Sequence, residues 1–344
     1  MVSVYALPIK NIAENVLNIL MGGKRIMSYI IKSKCDNGGD TFHIDEATIW
    51  SKINFQDIFK ELRKSQDVRI ITYSFQDNEF IRKIFTGLTK VQVLLSKNNR
   101  FSASYQEFIK QNFPNFEVDL IDKTHAKIIL AEPNFVYLGS QNIEQSDWFQ
   151  TGILFKDSLV YNYYINIFDN LRNKVRPYNY KQKSKNYFSS NMSKSIQKPF
   201  SPSEPAINIY DVAIKFSYAL NWNQKFNGYH GRNIVITSYT LPNYDYVCTI
   251  LTKLFKQGNR VTIYANTISD NVLRHLSKKF PCLNYKTFPN MHAKMVLVDN
   301  NIVWLSSQNL GTSSWFENTI NIHSKKAYKY FYDRLNEFIA LYNL

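Results

Sequence analysis

The sequence predicts an α/β protein made of two pseudo-symmetric halves, each a mixed β-sheet with helices on both faces. The first observation is an internal repeat, because residues 125–130 match residues 292–297 at an offset of 167 (292 minus 125). The second is that β-branched runs alternate with amphipathic stretches in both halves. The third is a composition of 44% hydrophobic and 15% aromatic residues, which can fill a sizeable core.

The first half follows a strand, helix, strand order. β-Branched runs at 68–74 and 91–95 flank residues 79–88, whose apolar side chains recur at helical spacing. This order favours a parallel pair of strands. Further along, the pattern predicts a helix at 102–113, strands at 126–131 and 135–139 around a turn at 132–134, and a helix near 159–173.

The second half repeats this order. It carries predicted strands near 233–239, 260–265, 294–298 and 302–306, a turn at 299–301 and a closing helix near 325–343. Residues 177–205 are rich in Ser, Lys, Asn, Tyr and Pro and lack apolar periodicity, so they predict a linker. We expect an N-terminal half at 1–176, a basic linker at 177–205 and a C-terminal half at 206–344. Before the first core strand, Ile49, Ile53, Ile58 and Leu62 predict a helix, and residues 1–66 suggest no function.

The charge balance narrows the classes of partner. The chain of 344 residues carries 42 Lys and Arg against 27 Asp and Glu, a net charge of +15, which attracts polyanions. No stretch reaches the about 18 apolar residues of a membrane span. Residues 1–7 lack the basic residues of a secretory signal, so we expect a cytoplasmic or nuclear protein. Three scattered cysteines provide no disulfide framework and no CxxC metal site.

The linker is a candidate nucleic-acid contact. Basic side chains recur through residues 172–198 without any acidic residue, and tyrosines lie between them. Lysines can contact phosphates while tyrosines stack on bases. Lys181, Lys183 and Lys185 are the candidate nucleic-acid-binding residues. The alternative is a solvated tether whose charges keep it soluble.

Each half contains the same ordered set of polar residues. A His-x-Lys pair is followed by an acid and then by Ser-x-Asn. Residues two apart on a strand face the same side, so each histidine and its lysine would reach one cavity. The first copy is His125, Lys127, Glu132, Ser140 and Asn142, and the second is His292, Lys294, Asp299, Ser307 and Asn309.

These residues resemble the doubled HxKxxxxD, or HKD, motif of the phospholipase D superfamily. The resemblance covers most of 68–173 and 233–340. It implies a phospholipase D-like α/β/α fold with one active site formed by both halves. It also implies a phosphohistidine intermediate, with the lysines and asparagines holding the phosphate oxygens and no metal or other cofactor required. Glu132 stands where the family has Asp, and Ser306 where it often has Gly; we expect Glu132 and Asp299 to fix the turn behind the site.

One asymmetry between the copies suggests roles for the two histidines. Gln150 and Glu317 occupy equivalent positions, the same distance after His125 and His292. If each lies beside the histidine of its own copy, Glu317 would favour a charged His292 as general acid, and Gln150 would keep His125 neutral as nucleophile. This pairing is similar to that in tyrosyl-DNA phosphodiesterases. The alternative is that both are ordinary exposed polar residues.

The superfamily acts on several phosphodiesters, and its motif does not separate them. The positive charge favours nucleic acid as the substrate, with DNA preferred over RNA. We therefore expect a nuclease, for example one with a restriction or defence role. Alternatives are a phospholipase or phosphatidyl transferase acting on anionic lipid, tyrosyl-DNA phosphodiesterase-like end processing, and a silent nucleic-acid-binding module. With one site per chain, cutting both strands needs a homodimer, reorientation or successive nicks. We expect Trp148 and Trp315 to pack in the core rather than against bases.

Overall fold

A computed structural model describes residues 30–31, 41–51, 54–175, 207–217 and 222–342. The predicted linker at 177–205, with Lys181, Lys183 and Lys185, lies outside the described residues, as does Ile53. The division into an N-terminal half, a linker and a C-terminal half therefore stays a prediction.

The first half forms seven neighbouring strands of a sheet in the order β2, β8, β7, β6, β3, β4, β5, and β1 pairs with β2. The strands are β1 (Ile30–Ile31), β2 (Thr41–Trp50), β3 (Val68–Thr72), β4 (Val91–Ser96), β5 (Phe116–Ile121), β6 (Ile128–Ala131), β7 (Phe135–Gly139) and β8 (Gly152–Lys156). The helices are α1 (Phe55–Leu62), α2 (Asn78–Phe85), α3 (Ser102–Asn112) and α4 (Ser158–Arg172).

The second half has the matching order β9, β15, β14, β13, β10, β11, β12. Its strands are β9 (Ile207–Ser217), β10 (Asn233–Ser238), β11 (Arg260–Asn266), β12 (Asn284–Phe288), β13 (Lys294–Val298), β14 (Ile302–Ser306) and β15 (Thr319–His323). Its helices are α5 (Trp222–Lys225), α6 (Tyr244–Lys256), α7 (Asp270–Lys279) and α8 (Lys325–Ala340).

Several helices in the two halves begin at a side chain that caps the helix N-terminus. Asp157 caps α4 by accepting from two backbone N–H groups, and Ser324, at the equivalent position, caps α8. Asp77 and Asn243 cap α2 and α6 in the same way. These caps fix where the four helices begin.

The two halves are joined through their sheets. Strand β2 pairs antiparallel with β9 from Ile49 opposite Ile207 to Thr41 opposite Lys215, so the described strands form one continuous sheet. A central core lies between the halves, where Phe168 of α4 and Phe338 of α8 are fully buried. Two further cores lie on the other face, one under α1, α2 and α3 and one under α6 and α7.

The predicted fold class of two α/β/α halves is confirmed. The expected parallel pairs are present as β3 with β4 and β10 with β11. One early prediction is wrong, because Ile49 lies in strand β2, whereas Ile58 and Leu62 do lie in a helix. Ala47 and Ile49, two residues apart, are both buried in the core, which is the periodicity of a strand. Within the described residues, no helix combines the length and the apolar character needed to cross a membrane.

Candidate active site

Each His-x-Lys pair lies in an extended segment that leads into a strand of its own half and pairs with the other half. The backbone N–H groups of His125 and Ala126 both donate to the carbonyl of Phe316, at 2.9 and 3.1 Å. Those of His292 and Ala293 donate to Phe149, at 3.1 and 2.8 Å. The segments 148–150 and 315–317 thus cross the boundary between the halves in a symmetric exchange.

Successive side chains of these crossing segments point to opposite sides, as they do in a β-strand. Phe149, in the middle of the first segment, is fully buried in the central core. The residues on either side of it, Trp148 and Gln150, therefore face the opposite way, toward His292 of the second half. Trp315 and Glu317 face His125 by the same geometry.

His125 is held by two acceptors from the second half. Its Nδ1 lies 2.9 Å from the carbonyl oxygen of Ser307 and 3.2 Å from Oε2 of Glu317. Both partners are acceptors, which assigns the ring proton to Nδ1 and leaves the lone pair on Nε2. The Ser307 hydroxyl donates to the same Oε2 of Glu317, and the Ser313 hydroxyl donates to Oε1.

His292 is held by the first half. Its Nδ1 lies 2.8 Å from Oε1 of Gln150, which also accepts a hydrogen bond of 2.8 Å from the Ser140 hydroxyl. Ser140 and Ser307 are both fully buried. Each serine hydroxyl thus orients the side chain behind a histidine, Ser140 through Gln150 and Ser307 through Glu317.

The predicted pairing of each histidine with the acid or amide of its own copy is wrong. The carboxylate of Glu317 lies beside His125, and the amide of Gln150 lies beside His292. The reason is the exchange of segments. Gln150 and Glu317 each follow a Trp-Phe pair, and the backbone of each pair accepts hydrogen bonds from the histidine segment of the other half. The reading of Gln150 and Glu317 as ordinary exposed residues is also wrong, since both are buried.

The two lysines lie in the same buried pocket as the histidines. Lys127 and Lys294 are fully buried, and each ammonium donates to the backbone carbonyl of its own motif histidine. Lys294 Nζ also lies 3.1 Å from both ring nitrogens of His292. Across the halves, His125 interacts electrostatically with Lys294, and His292 interacts with Lys127 and His125.

Burial and like charge control the ionisation of this cluster. Burial lowers the pKa of Lys127 to about 7, and burial together with the Lys127 charge holds the pKa of Lys294 well below its usual value. Burial and neighbouring lysines lower the pKa of both His125 and His292. Burial alone would raise the pKa of Glu317, but the adjacent His125, Lys127 and Ser307 bring it down to about 2. At neutral pH Glu317 is therefore an anion.

The two motif asparagines differ in their contacts. Oδ1 of Asn309 accepts from the backbone N–H of Thr240 at 3.3 Å, and its amide nitrogen has no hydrogen-bond acceptor among the described residues. Oδ1 of Asn142 is buried and has no hydrogen-bond partner among the described residues. Both side chains are half-buried and so remain open to a ligand.

The acids that follow the lysines differ from each other. Asp299 binds the backbone N–H of Asn233 at 2.8 Å and the Arg232 guanidinium at 2.9 Å, which ties the turn after β13 to the start of β10. Glu132 has an exposed side chain, and its turn is anchored through the backbone, with its N–H donating to Asp67. The expected turn-fixing role therefore agrees with the contacts of Asp299, whereas Glu132 contributes through its main chain.

Gly139 and Ser306 differ because their neighbours differ. A Cβ at Gly139 would lie 2.0 Å from the Tyr137 hydroxyl, so the first half has no room for a side chain there. In the second half the Ser306 hydroxyl has partners, including Thr319 at 2.8 Å and the buried ammonium of Lys225 at 3.3 Å. The departure at Ser306 is thus a packing difference behind the site.

Several residues around the site had not been singled out from the sequence. Tyr73 and Tyr239 contact the two histidines, and they occupy equivalent places in the similar stretches 71–75 and 237–241. The expectation that Trp148 and Trp315 pack in the core is wrong, because both are only half-buried and face the histidines. Comparison of the two repeats beyond the motif would have revealed the tyrosines.

Glu144 is a further acid at the site. It is half-buried and interacts electrostatically with both Lys127 and Lys294. Burial raises its pKa to about 7, although the two lysines oppose this. The second repeat has Gly311 at the equivalent position, so this acid belongs to one side of the pocket only. Among the described residues, no group of three or more His, Cys, Asp or Glu side chains is arranged to hold a metal ion.

Comparison with solved structures identifies the architecture. The structure is similar to phosphatidylserine synthase from Haemophilus influenzae Rd KW20, with a TM-score of 0.60, 12% sequence identity, and coverage of 86% of this chain and 87% of that one. The fold is phospholipase D-like.

Two other solved structures were matched as well. Polyphosphate kinase from Porphyromonas gingivalis matches with a TM-score of 0.51 and 11% identity, over 80% of this chain and 44% of the kinase. Yeast tyrosyl-DNA phosphodiesterase has a TM-score of 0.47 and 11% identity, over 81% of this chain and 90% of that one. No protein-family model and no curated protein matches the sequence.

Proposed function

We propose that the protein is a metal-independent phosphodiesterase, and specifically a nuclease that cleaves DNA or RNA through a phosphohistidine intermediate. The observation that carries this proposal is the convergence of two histidine and lysine pairs, one from each half, with each imidazole oriented by the other half. One nucleophile, one proton donor and two cations around a single pocket suit displacement at phosphorus.

His125 is the proposed nucleophile. Its Nδ1–H is held by Ser307 and Glu317, so Nε2 presents its lone pair to phosphorus. When the bond from Nε2 to phosphorus forms, the ring acquires positive charge, and the Glu317 anion stabilises that charge. The role predicted for His125 is thus retained for a different reason, since a carboxylate and not an amide lies behind it.

His292 is the proposed general acid. Gln150 orients its ring through a neutral oxygen, so a proton on Nε2 is held less tightly than it would be beside a carboxylate. Binding of the phosphodiester anion offsets the neighbouring lysine charges and favours protonation of the ring. The Nε2 proton passes to the leaving oxygen as its bond to phosphorus breaks. His292 then removes a proton from water, whose oxygen displaces Nε2 of His125 from phosphorus.

The lysines and asparagines are the proposed anion site. Lys127 and Lys294 are fully buried, and a bound phosphodiester anion favours their protonated forms, whose charges then act in a medium of low polarity on the non-bridging oxygens. Asn309 offers its amide nitrogen from the pocket edge, and Asn142 lies at the equivalent place. These groups supply the positive charge that other phosphodiesterases obtain from metal ions.

Nucleic acid is the proposed substrate because of the charge of the whole chain. The net charge of +15 and the pI near 9.4 favour a long polyanion, since phosphate contacts dominate nucleic-acid affinity. The assignments of DNA as the preferred partner and of Lys181, Lys183 and Lys185 as contacts belong to this proposal. Phosphatidyl transfer is the second candidate, because a phosphatidylserine synthase shares the fold along nearly its whole length.

The first experiment uses labelled single-stranded DNA, duplex DNA and RNA in excess EDTA. We expect cleavage by the wild type and by His275→Ala, an exposed histidine of α7, and none by His125→Ala. Anionic phospholipid vesicles and a 3′-tyrosyl oligonucleotide are the comparison substrates. Turnover of lipid alone would replace the nuclease with a phosphatidyl-transfer enzyme, and turnover of the tyrosyl end alone would indicate end processing.

The roles of the two histidines are tested with thymidine 5′-(p-nitrophenyl) phosphate. Nitrophenolate leaves without help from an acid, so His292→Ala should give a burst of nitrophenol and a trapped phosphohistidine on His125. His125→Ala should give no burst. A burst from His125→Ala together with none from His292→Ala would reverse the assignment.

A further inference from the structure

Each motif histidine has two aromatic rings beside it, one tyrosine and one tryptophan, which also lie close to each other. Tyr73 and Trp315 lie 5.3 and 6.3 Å from the His125 ring, centroid to centroid, and 6.1 Å from each other in a stacked arrangement. Around His292, Tyr239 and Trp148 lie at 4.9 and 5.6 Å, and 5.8 Å from each other. The pocket therefore has one Tyr and Trp pair on each side.

The fold builds the two pairs in the same way. Each tyrosine directly follows a strand, β3 or β10, and the preceding Thr72 or Ser238 hydroxyl donates to the backbone carbonyl two residues on. Each tryptophan belongs to a crossing segment, and its backbone N–H is held by a serine hydroxyl, Ser146 at 3.1 Å or Ser313 at 3.2 Å. These turns hold both rings of each pair at the pocket wall.

The rings are placed for a ligand rather than for the core. All four are half-buried, and none of the three hydrophobic cores includes them. The tyrosines also adjoin the anion site, because Lys127 Nζ lies 5.8 Å from the Tyr73 ring and Lys294 Nζ lies 5.6 Å from the Tyr239 ring. A phosphate held by the lysines would therefore have a planar aromatic surface on either side.

We propose that the two Tyr and Trp pairs stack the nucleobases on both sides of the cleaved phosphodiester, and hence that the substrate is an unpaired nucleic-acid strand. This inference rests on the proposed nuclease function and names its substrate class. Aromatic side chains stack on unpaired bases of any sequence, because every base has a π face. In a duplex the base faces are covered by their neighbours, so a strand must be single or locally opened to use these surfaces.

The chemistry of the two walls decides between the substrate classes. Both sides have the same composition, one tyrosine and one tryptophan, which fits a phosphodiester with similar planar groups on both sides. An internucleotide linkage has this property. A phospholipid carries flexible glycerol and acyl groups instead, which gain nothing from stacking.

The experiment compares a single-stranded oligonucleotide with an abasic oligonucleotide of the same length and charge. The wild type should show a KM about 5- to 140-fold lower for the strand with bases, the range expected from stacking one base. In Trp148→Ala and Trp315→Ala this ratio of KM values should fall toward one. Trp148→Phe and Trp315→Phe should largely restore it. Tyr332→Ala, an exposed aromatic of α8, is the matched control.

The outcomes separate this inference from the function on which it rests. Equal KM values for the two oligonucleotides in the wild type would overturn the stacking proposal and leave the nuclease intact, and so would preferential cleavage of fully paired duplex. If Trp→Ala raised both KM values equally, the tryptophans would be positioning residues only. Failure of the wild type to cleave any oligonucleotide would instead reject the nuclease itself.

Discussion

Glu317 of the second half accepts a hydrogen bond from Nδ1 of His125 of the first half, at 3.2 Å. Gln150 makes the reciprocal contact with His292 at 2.8 Å. The site is therefore symmetric in backbone and asymmetric in charge, because one imidazole faces a carboxylate and the other an amide. This difference gives the two histidines different chemical roles in the proposed reaction.

Replacing Glu317 by Gln should slow formation of the phosphohistidine. The neutral amide can still orient His125 but no longer stabilises the charge on its ring, so we expect a loss of about 10- to 100-fold in the burst rate, the range seen for orienting partners of metal-bound histidine. Rapid-quench measurement of the phosphoenzyme checks this. Gln150→Glu is the reciprocal variant and should slow proton donation by His292. An unchanged burst rate in Glu317→Gln would refute the charge argument.

Glu144 should make substrate binding depend on pH near neutrality. Its pKa is raised to about 7, so it is protonated below that pH and anionic above it, where it repels the phosphodiester. KM should rise as the pH increases from 6 to 8, and less steeply in Glu144→Gln. The pKa of Lys127 is also about 7, so Lys127 loses its positive charge over the same pH range, which also raises KM. This second effect is unchanged in Glu144→Gln. Parallel KM profiles for the wild type and Glu144→Gln would exclude the role of this carboxylate. Glu107→Gln removes an exposed acid of α3 and is the control.

The buried Lys225 should give the fold a pH-dependent stability. Burial lowers its pKa to about 7, below the value of 10.5 for an unperturbed lysine, so the unfolded state binds more protons between these two values. The free energy of unfolding should therefore rise with pH from about 7 toward 10, by at most ~1.4 kcal/mol per pH unit from this lysine. Urea unfolding at pH 7, 8 and 9 measures the slope.

Lys225→Met should reduce that slope. Lys127 and Lys294 keep their own contributions, so part of the dependence remains. Lys278→Met, an exposed lysine of α7, is the matched substitution. An identical slope in the wild type and Lys225→Met would show that burial does not hold Lys225 in its neutral amine form.

Gly139→Ala should destabilise the first half. The new Cβ would lie 2.0 Å from the Tyr137 hydroxyl and 3.1 Å from the Thr151 carbonyl, so we expect a loss of ~1–3 kcal/mol in the free energy of unfolding. Combining it with Tyr137→Phe, which removes a buried hydroxyl without a partner among the described residues, should recover part of this loss. Ser306→Ala tests the equivalent place in the second half. Equal stability of Gly139→Ala and wild type would mean that the Tyr137 ring can shift.

The sequence by itself determined the repeat, the strands and helices around the two motifs, and the candidate residues of each copy. These depend on local patterns in the chain: β-branched runs, apolar residues at helical spacing, and the two His-x-Lys pairs in one register. Equivalent residues of a duplicated unit meet when the two copies pack with pseudo-twofold symmetry. The doubled motif could therefore be assembled without coordinates.

Only the tertiary structure decided which half supplies each partner. The distance in sequence from His125 to Gln150 is the same as that from His292 to Glu317, so spacing favours pairing within a copy, whereas the crossing segments pair each histidine with the other copy. The pairing of β2 with β9 and the half-buried placement of Trp148 and Trp315 beside the histidines are non-local in the same way. The physical reason is that strand pairing and burial join residues far apart in the chain, and no local pattern encodes the identity of such a neighbour.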